Sequence, residues 1–98
     1  MNNTECNDPK NFNHLPIKEQ TKLLEWIKAN IKPRKTVNDL HSSYGLKHIY
    51  ERNTNIYVDN GTFKGAMQQA GFKPHNANDL NWIFCLSKKS PAFKLPLM

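Results

Sequence analysis

The segment from Asn60 to Phe72, NGTFKGAMQQAGF, constrains the local structure of this chain more tightly than any other. Its apolar residues recur at positions i, i+3, i+4 and i+7, which places them on one face of an α-helix. These residues are Phe63, Ala66, Met67 and Ala70. Asn60 is suited to the N-cap position. Gly71 followed by Phe72 matches a glycine that ends a helix, with a hydrophobic contact between the next residue and the last helical turn. The sequence therefore predicts a short helix over residues 60–70 with one buried face.

A longer amphipathic helix is predicted from about residue 16 to 31. Its apolar stripe consists of Leu23, Leu24, Trp26, Ile27 and Ile31. Pro16 suits a first helical turn, and Pro33 ends the pattern. Lysines and glutamates on the other side predict a solvent-facing surface.

The segment between these two helices allows two arrangements. Thr36 and Asp39 resemble a capping pair, and two apolar stripes that follow are offset around residues 42–45. Either one bent helix covers residues 37–52, or two short helices flank a turn. We favour one long helix that begins near Val37 or Ser43.

β-structure is predicted on both sides of the 60–70 helix. Ile56–Val58 is a short run of β-favouring residues. Residues 72–87 predict strand, turn and strand, with turn-forming residues at 75–79. In the last strand, Trp82, Phe84 and Leu86 alternate with Ile83 and Cys85. The predicted fold class is α+β and winged-helix-like, with three helices, a C-terminal β-hairpin and one extra short strand.

A chain of 98 residues is expected to form one domain. The polar residues 1–14 predict a flexible N-terminal arm, residues 15–88 the winged-helix-like domain, and residues 89–98 a flexible C-terminal tail. No run approaches the roughly 20 apolar residues that cross a bilayer, and no signal peptide is recognisable. A cytoplasmic location without a membrane partner is expected. Cys6 and Cys85 are too few and too isolated to predict a disulfide framework.

The net charge of +6 and the isoelectric point near 9.5 favour a polyanionic partner. Side chains predicted to contact phosphates are Lys47, Arg52, Lys73, Lys88 and Lys89. Side chains predicted to face bases from the 60–70 helix are Lys64, Gln68 and Gln69. The same residues would also suit a merely solvated surface, so both interpretations stay open.

Aromatic residues divide into a predicted core and a predicted ligand-facing set. Phe63, Phe72, Trp82 and Phe84 are assigned to the core. Tyr50 and Tyr57 are the candidates for stacking on a base. In the tail, the candidate partner-binding residues are Phe93, Leu95 and Leu97, although a disordered end explains them equally well.

No motif predicts catalysis. The chain has no glycine-rich phosphate loop and no G-x-S-x-G or H-E-x-x-H motif. His41, His48, His75 and Cys85 lack zinc-ligand spacing. We expect no enzymatic activity, no metal, no cofactor and no small-molecule substrate.

Three segments resemble small proteins of mobile elements in Gram-positive bacteria, including phages, plasmids and staphylococcal cassettes. They are SSYGLKHIYER (42–52), IYVDNGTFKGAMQQAGF (56–72) and LNW (80–82). Such proteins lie beside replication genes, and some partner an A-family polymerase in primer synthesis. The resemblance implies an accessory role in DNA replication or priming, with a polymerase or helicase partner.

The leading hypothesis is a nucleic-acid-binding accessory protein that contacts single- or double-stranded DNA. Two alternatives remain. One is a protein–protein adaptor or a phage-type inhibitor of a host enzyme, whose basic face meets an acidic protein surface. The other is a transcriptional repressor, which would have to be a dimer.

Overall fold

The computed structural model describes residues 6–95, which fold into helices around a small sheet. The α-helices are α1 (Ile17–Asn30), α2 (Ser43–Thr54) and α3 (Asn60–Gln69). Strands β1 (Pro33–Asn38) and β2 (Phe84–Leu86) pair antiparallel, and 3₁₀-helices span Pro9–His14 and Pro91–Lys94. The predicted α+β class is confirmed. Within the described residues, every helix is too short or too polar to cross a membrane.

Helix α1 forms where it was predicted, because its apolar stripe meets the core. Its most deeply buried residues are Leu23, Ile27 and, just beyond its end, Ile31. Trp26 packs edge-on against Tyr50 of α2, with ring centroids 5.1 Å apart. The indole N–H of Trp26 donates to Oδ1 of Asn53 at 2.8 Å. These contacts fix α1 against the C-terminal half of α2.

Helix α3 also forms as predicted, with one change at its N-terminus. Asp59, and not Asn60, is the N-cap, since its Oδ1 accepts the Thr62 N–H at 2.6 Å. The predicted apolar face is buried: Phe63, Ala66 and Met67 are fully enclosed, and Ala70 packs partly against the core. Gly71, at φ 100°, adopts the left-handed conformation that ends the helix.

Residues 33–38 differ from the prediction, because they form strand β1 instead of leading into a helix. The paired residues are Pro33 with Leu86 and Asn38 with Phe84, with an irregular register between them. The Asn38 side chain accepts from the Leu40 N–H at 3.0 Å and donates to the Leu86 carbonyl at 3.4 Å. Helix α2 consequently begins at Ser43, the later of the two predicted starts.

The strand pairing also differs from the predicted C-terminal hairpin. Strand β2 pairs with β1, and residues 72–83 form an irregular loop. One backbone hydrogen bond, from His75 N–H to the Ile83 carbonyl at 2.8 Å, crosses this loop. Ile56–Val58, predicted as an extra strand, is an irregular connection outside the sheet. Strand β2 finds its partner in β1 because this pairing encloses Phe84 and Leu86 completely.

Residues 6–14 pack onto α3, which corrects the predicted boundary of a flexible arm at residue 14. Phe12 is 4% exposed and belongs to the core. The backbone approaches α3 so closely that a Cβ atom on Gly61 would lie 2.6 Å from the Asp8 nitrogen, and one on Gly65 would lie 2.7 Å from Phe12 Cβ. The polar composition of this segment gave no indication that Phe12 would join the core. Residues 1–5 of the predicted arm lie outside the described residues.

The C-terminal residues differ from the predicted flexible tail in the same way. Phe93 stacks on His41, with ring centroids 3.9 Å apart and an interplanar angle of 18°. Ala92 is buried, and Phe93 and Leu95 pack against the core. The predicted partner-binding residues Phe93 and Leu95 are therefore half-buried in their own domain. Leu97 lies outside the described residues.

Candidate nucleic-acid interface

Helix α2 carries a row of aromatic and basic side chains opposite its buried side. Leu46 and Tyr50 face the core. Tyr44, His48 and Arg52 follow at intervals of four residues, which keeps them on one side of the helix. Tyr44 is 51% exposed, the His48 side chain is 40% exposed, and Arg52 is exposed.

The connection after α2 adds a second exposed ring to this row. Asn55 takes a left-handed conformation, at φ 61°, and ends the helix. Tyr57 follows and is 75% exposed. The Val58 N–H donates to Oε2 of Glu51 at 3.1 Å, which fastens the connection to α2. We call Tyr44, His48, Arg52 and Tyr57 the tyrosine face.

Lys47 lies beneath the tyrosine face and does not project from it. Its Nζ is 5.4 Å from the ring centroid of Tyr44 and 5.1 Å from that of Tyr57. Both distances are typical of cation–π contacts. The Lys47 side chain is only 7% exposed. The prediction that Lys47 contacts phosphate is therefore corrected: its ammonium group supports the two rings from within.

Glu51 holds this arrangement together. Its carboxylate pairs with Lys47 Nζ at 3.2 Å and with His48 Nδ1 at 3.1 Å, in addition to accepting the Val58 N–H. The Glu51 side chain is 16% exposed, so these interactions are partly shielded from water. One carboxylate thus positions the lysine, the histidine and the connection that carries Tyr57.

A depression of about 370 Å³ adjoins the two rings. Its lining includes Tyr44, Lys47, Tyr57, Asp59 and Asn60. Aromatic walls and a few polar groups are the usual composition of a small-molecule or nucleobase site. The depression lies where the start of α3 meets the start of α2.

Lys64, predicted to face bases, is buried instead. Its Nζ donates to the carbonyls of Asn7 and Leu80, both at 2.9 Å, and lies 4.6 Å from the ring centroid of Trp82. Burial lowers the pKa of Lys64, and the nearby Asp8 carboxylate opposes that shift. Residues 6–14 and the loop before β2 cover this side of α3, so Lys64 connects parts of the domain.

Gln68 and Gln69, the other predicted base readers, are exposed at the end of α3. They line a groove with the first 3₁₀-helix, beside Gly65 and Phe12. Their exposure is compatible with ligand contact, but they lie on a different helix from the tyrosine face.

The remaining predicted phosphate contacts, Lys73, Lys88 and Lys89, are all exposed. The turn that carries Lys88 and Lys89 is attached to Lys32, because the Ser87 N–H donates to the Lys32 carbonyl at 2.7 Å. In return, the Lys32 N–H donates to Ser90 Oγ at 2.9 Å. Lys88 and Lys89 therefore belong to the region where β1 begins. Arg52 is the predicted cation that lies on the tyrosine face.

Of the two tyrosines predicted to stack on a base, Tyr57 is exposed and Tyr50 is buried. Tyr50 is 1% exposed, and burial raises its pKa while a hydrogen bond with Thr54 opposes the shift. Tyr44 and His48 were not selected as site residues from the sequence. Their four-residue spacing to Arg52, opposite Leu46 and Tyr50, was the signal that could have identified them.

Comparison of the chain with protein families, curated proteins and solved structures found no match.

Proposed function

We propose that this protein binds single-stranded nucleic acid through the tyrosine face and acts as an accessory protein in DNA replication or priming. The observation that supports this most directly is the pair of exposed rings, Tyr44 and Tyr57, held over the buried ammonium group of Lys47. Exposed aromatic rings stack on unpaired bases, and adjacent cations hold the phosphates. Arg52 supplies an exposed cation in the same row.

The arrangement favours a single strand over a duplex. Bases within a duplex already stack on one another, so tyrosine rings gain little from them. A winged-helix mode of binding would place α3 in a major groove, with Lys64 against the base edges. The burial of Lys64 weakens that mode.

The replication context comes from the resemblance to small mobile-element proteins, which covers the tyrosine face. On that basis we propose that the protein partner is a polymerase or helicase. The accessory protein would help this partner to engage its nucleic-acid template. The adaptor hypothesis rests on the same basic face, with help from the C-terminal tail. The contribution of the tail loses support because Phe93 and Leu95 pack on their own domain.

Fluorescence anisotropy with a labelled mixed-sequence single strand tests the proposal. We expect Tyr57→Ala and Tyr44→Ala each to weaken binding roughly 5- to 150-fold, since one lost stacking contact costs about 1–3 kcal/mol. Tyr57→Phe should keep most of the affinity, because the ring remains. Ile17→Ala is a matched control, since Ile17 is 74% exposed on α1 and has no part in the tyrosine face.

Two results would contradict the proposal. One is a failure of the wild-type protein to bind a single strand at low ionic strength, where phosphate contacts are strongest. The other is equal binding by the Tyr57→Ala and Ile17→Ala variants. Circular dichroism of each variant establishes that a loss of binding is not a loss of folding.

A further inference from the structure

We propose that the site distinguishes between bases: the depression beside the tyrosine face receives one unpaired base, and the Asp59 carboxylate accepts a hydrogen bond from its exocyclic amino group. This inference rests on the proposed function, because the strand must first lie on the tyrosine face. It specifies the ligand as a single strand containing bases with an exocyclic amino group, such as cytosine or adenine, in preference to thymine or uracil.

The shape of the site fits one base. The depression of about 370 Å³ is within the range of small-molecule sites, roughly 300–1,000 Å³. Tyr44, Tyr57, Asp59 and Asn60 line it together, with Lys47, His48, Cys6 and Asn7. A base that enters the depression and stacks on a ring therefore lies in the same space as these polar side chains. Single-strand binders recognise unstacked bases by such edge contacts.

Asn60 is already committed to the fold and is not available to a base. Its amide nitrogen donates to Asn7 Oδ1 at 2.7 Å and to Asn81 Oδ1 at 3.0 Å. Its amide oxygen accepts from the Ser43 hydroxyl at 2.7 Å. Both amide hydrogens of Asn60 are therefore occupied, and the residue is only 5% exposed.

Lys47 is committed in the same way. Its ammonium group pairs with both carboxylate oxygens of Glu51, at 3.3 and 3.2 Å, and lies against the two tyrosine rings. Lys47 therefore supports the stacking surface.

Asp59 has acceptor capacity to spare. Its Oδ1 accepts the Thr62 N–H at 2.6 Å, as the cap of α3. Its Oδ2 receives a hydrogen bond from Asn11, at 3.5 Å, which is long for an amide donor. Each carboxylate oxygen has two lone pairs, so Oδ2 can accept a further donor from the depression.

The chemistry of a carboxylate sets the preference. An ionised carboxylate accepts hydrogen bonds and donates none. Cytosine presents an N4 amino group and adenine an N6 amino group, whereas thymine presents the O4 acceptor at the equivalent position. The exocyclic oxygen of thymine would face the carboxylate without a proton between them. We expect a preference of roughly 10- to 150-fold for oligo(dC) over oligo(dT), the usual net effect of one hydrogen bond to a charged group.

The test compares Kd values for oligo(dC) and oligo(dT) of equal length, at mildly alkaline pH where cytosine stays neutral. Asp59→Asn is the informative variant, because asparagine caps a helix about as well as aspartate does. The amide offers a donor as well as an acceptor, so the ratio of the two Kd values should approach one. Asp39→Asn makes the same charge change at an exposed position before α2 and should leave the ratio unchanged.

The ratio separates base recognition from general attraction, because a lost negative charge strengthens binding to both strands alike. Equal wild-type affinity for the two strands would overturn the inference, as would an unchanged ratio in Asp59→Asn. If Tyr57→Ala still weakens binding in those cases, the proposed function stands and only the base preference fails. If no single strand binds at all, both fail together.

Discussion

For Lys64 and Lys47, the position within a helix gives a wrong prediction of side-chain exposure. Both occur at positions where a helix would normally expose them, yet each ammonium group lies over an aromatic ring. Lys64 donates hydrogen bonds to two backbone carbonyls, whereas Lys47 forms an ion pair with the Glu51 carboxylate. A buried ammonium group is stable only when such partners replace its hydration. The partners of Lys64 lie in distant segments, so its burial was not visible in the sequence around it.

His41 is the residue through which pH should act on stability. Burial lowers its pKa below the ordinary value of 6.5, and its ring stacks on Phe93. The unfolded chain therefore takes up a proton near pH 6.5, while the folded protein does so only at lower pH. Because the unfolded state binds more protons in that interval, the free energy of unfolding falls as pH drops below 6.5 and levels off below the folded pKa.

We expect His41→Gln to remove this pH-dependent contribution to the free energy of unfolding. Urea denaturation at a series of pH values should show a steeper decline on acidification for the wild-type protein than for the variant. His75→Gln is the control, since His75 is exposed in the loop before β2 and should leave the decline unchanged. An identical pH dependence of wild type and His41→Gln would show that the stacked ring titrates as it does in the unfolded chain.

Among the elements, the first 3₁₀-helix depends on two glycines of α3 for its place. Gly65→Ala would put a methyl group 2.7 Å from Phe12 Cβ and against the Pro9 backbone, so the segment must move outward. We expect a loss of stability of about 1–3 kcal/mol, as for other overpacked cores. Urea denaturation measures it.

Gly45→Ala provides the opposite case. Gly45 lies in α2 with open space around its Cα, so alanine meets no neighbour. Alanine is favoured over glycine within a helix by up to about 1 kcal/mol, and this variant should therefore be more stable. If Gly65→Ala left stability unchanged or raised it, as Gly45→Ala should, the close packing of residues 6–14 on α3 would be contradicted.

The elements that sequence predicted well are those whose evidence is local. Helices α1 and α3 each contain a complete apolar stripe and an end signal such as Pro33 or Gly71. The pairing of β1 with β2 joins segments 48 residues apart at Asn38 and Leu86, and no periodicity within either segment reveals it. The tyrosine face falls between these cases. Its residues on α2 follow a local spacing, but the position of Tyr57 depends on the Val58–Glu51 hydrogen bond.

For the whole molecule, the net charge of +6 gives a general attraction to polyanions. Exposed cations occur on several elements, including Lys28 near the end of α1 and Lys88 after β2. General attraction and a defined binding site both weaken as salt is added. They differ in whether the position of the cation matters.

The salt dependence of single-strand binding distinguishes the two. Each phosphate contact contributes about −0.7 to the slope of log K against log salt concentration. Arg52→Gln removes a cation from the tyrosine face, so the slope should become shallower by about 0.7. Lys28→Gln removes the same charge from α1, where Lys28 lines grooves with the end of α3, and should leave the slope unchanged. A strand bound along α2 contacts only the cations on its path, so the two variants should differ in slope. An equal change of slope in both variants would mean that net charge alone attracts the strand.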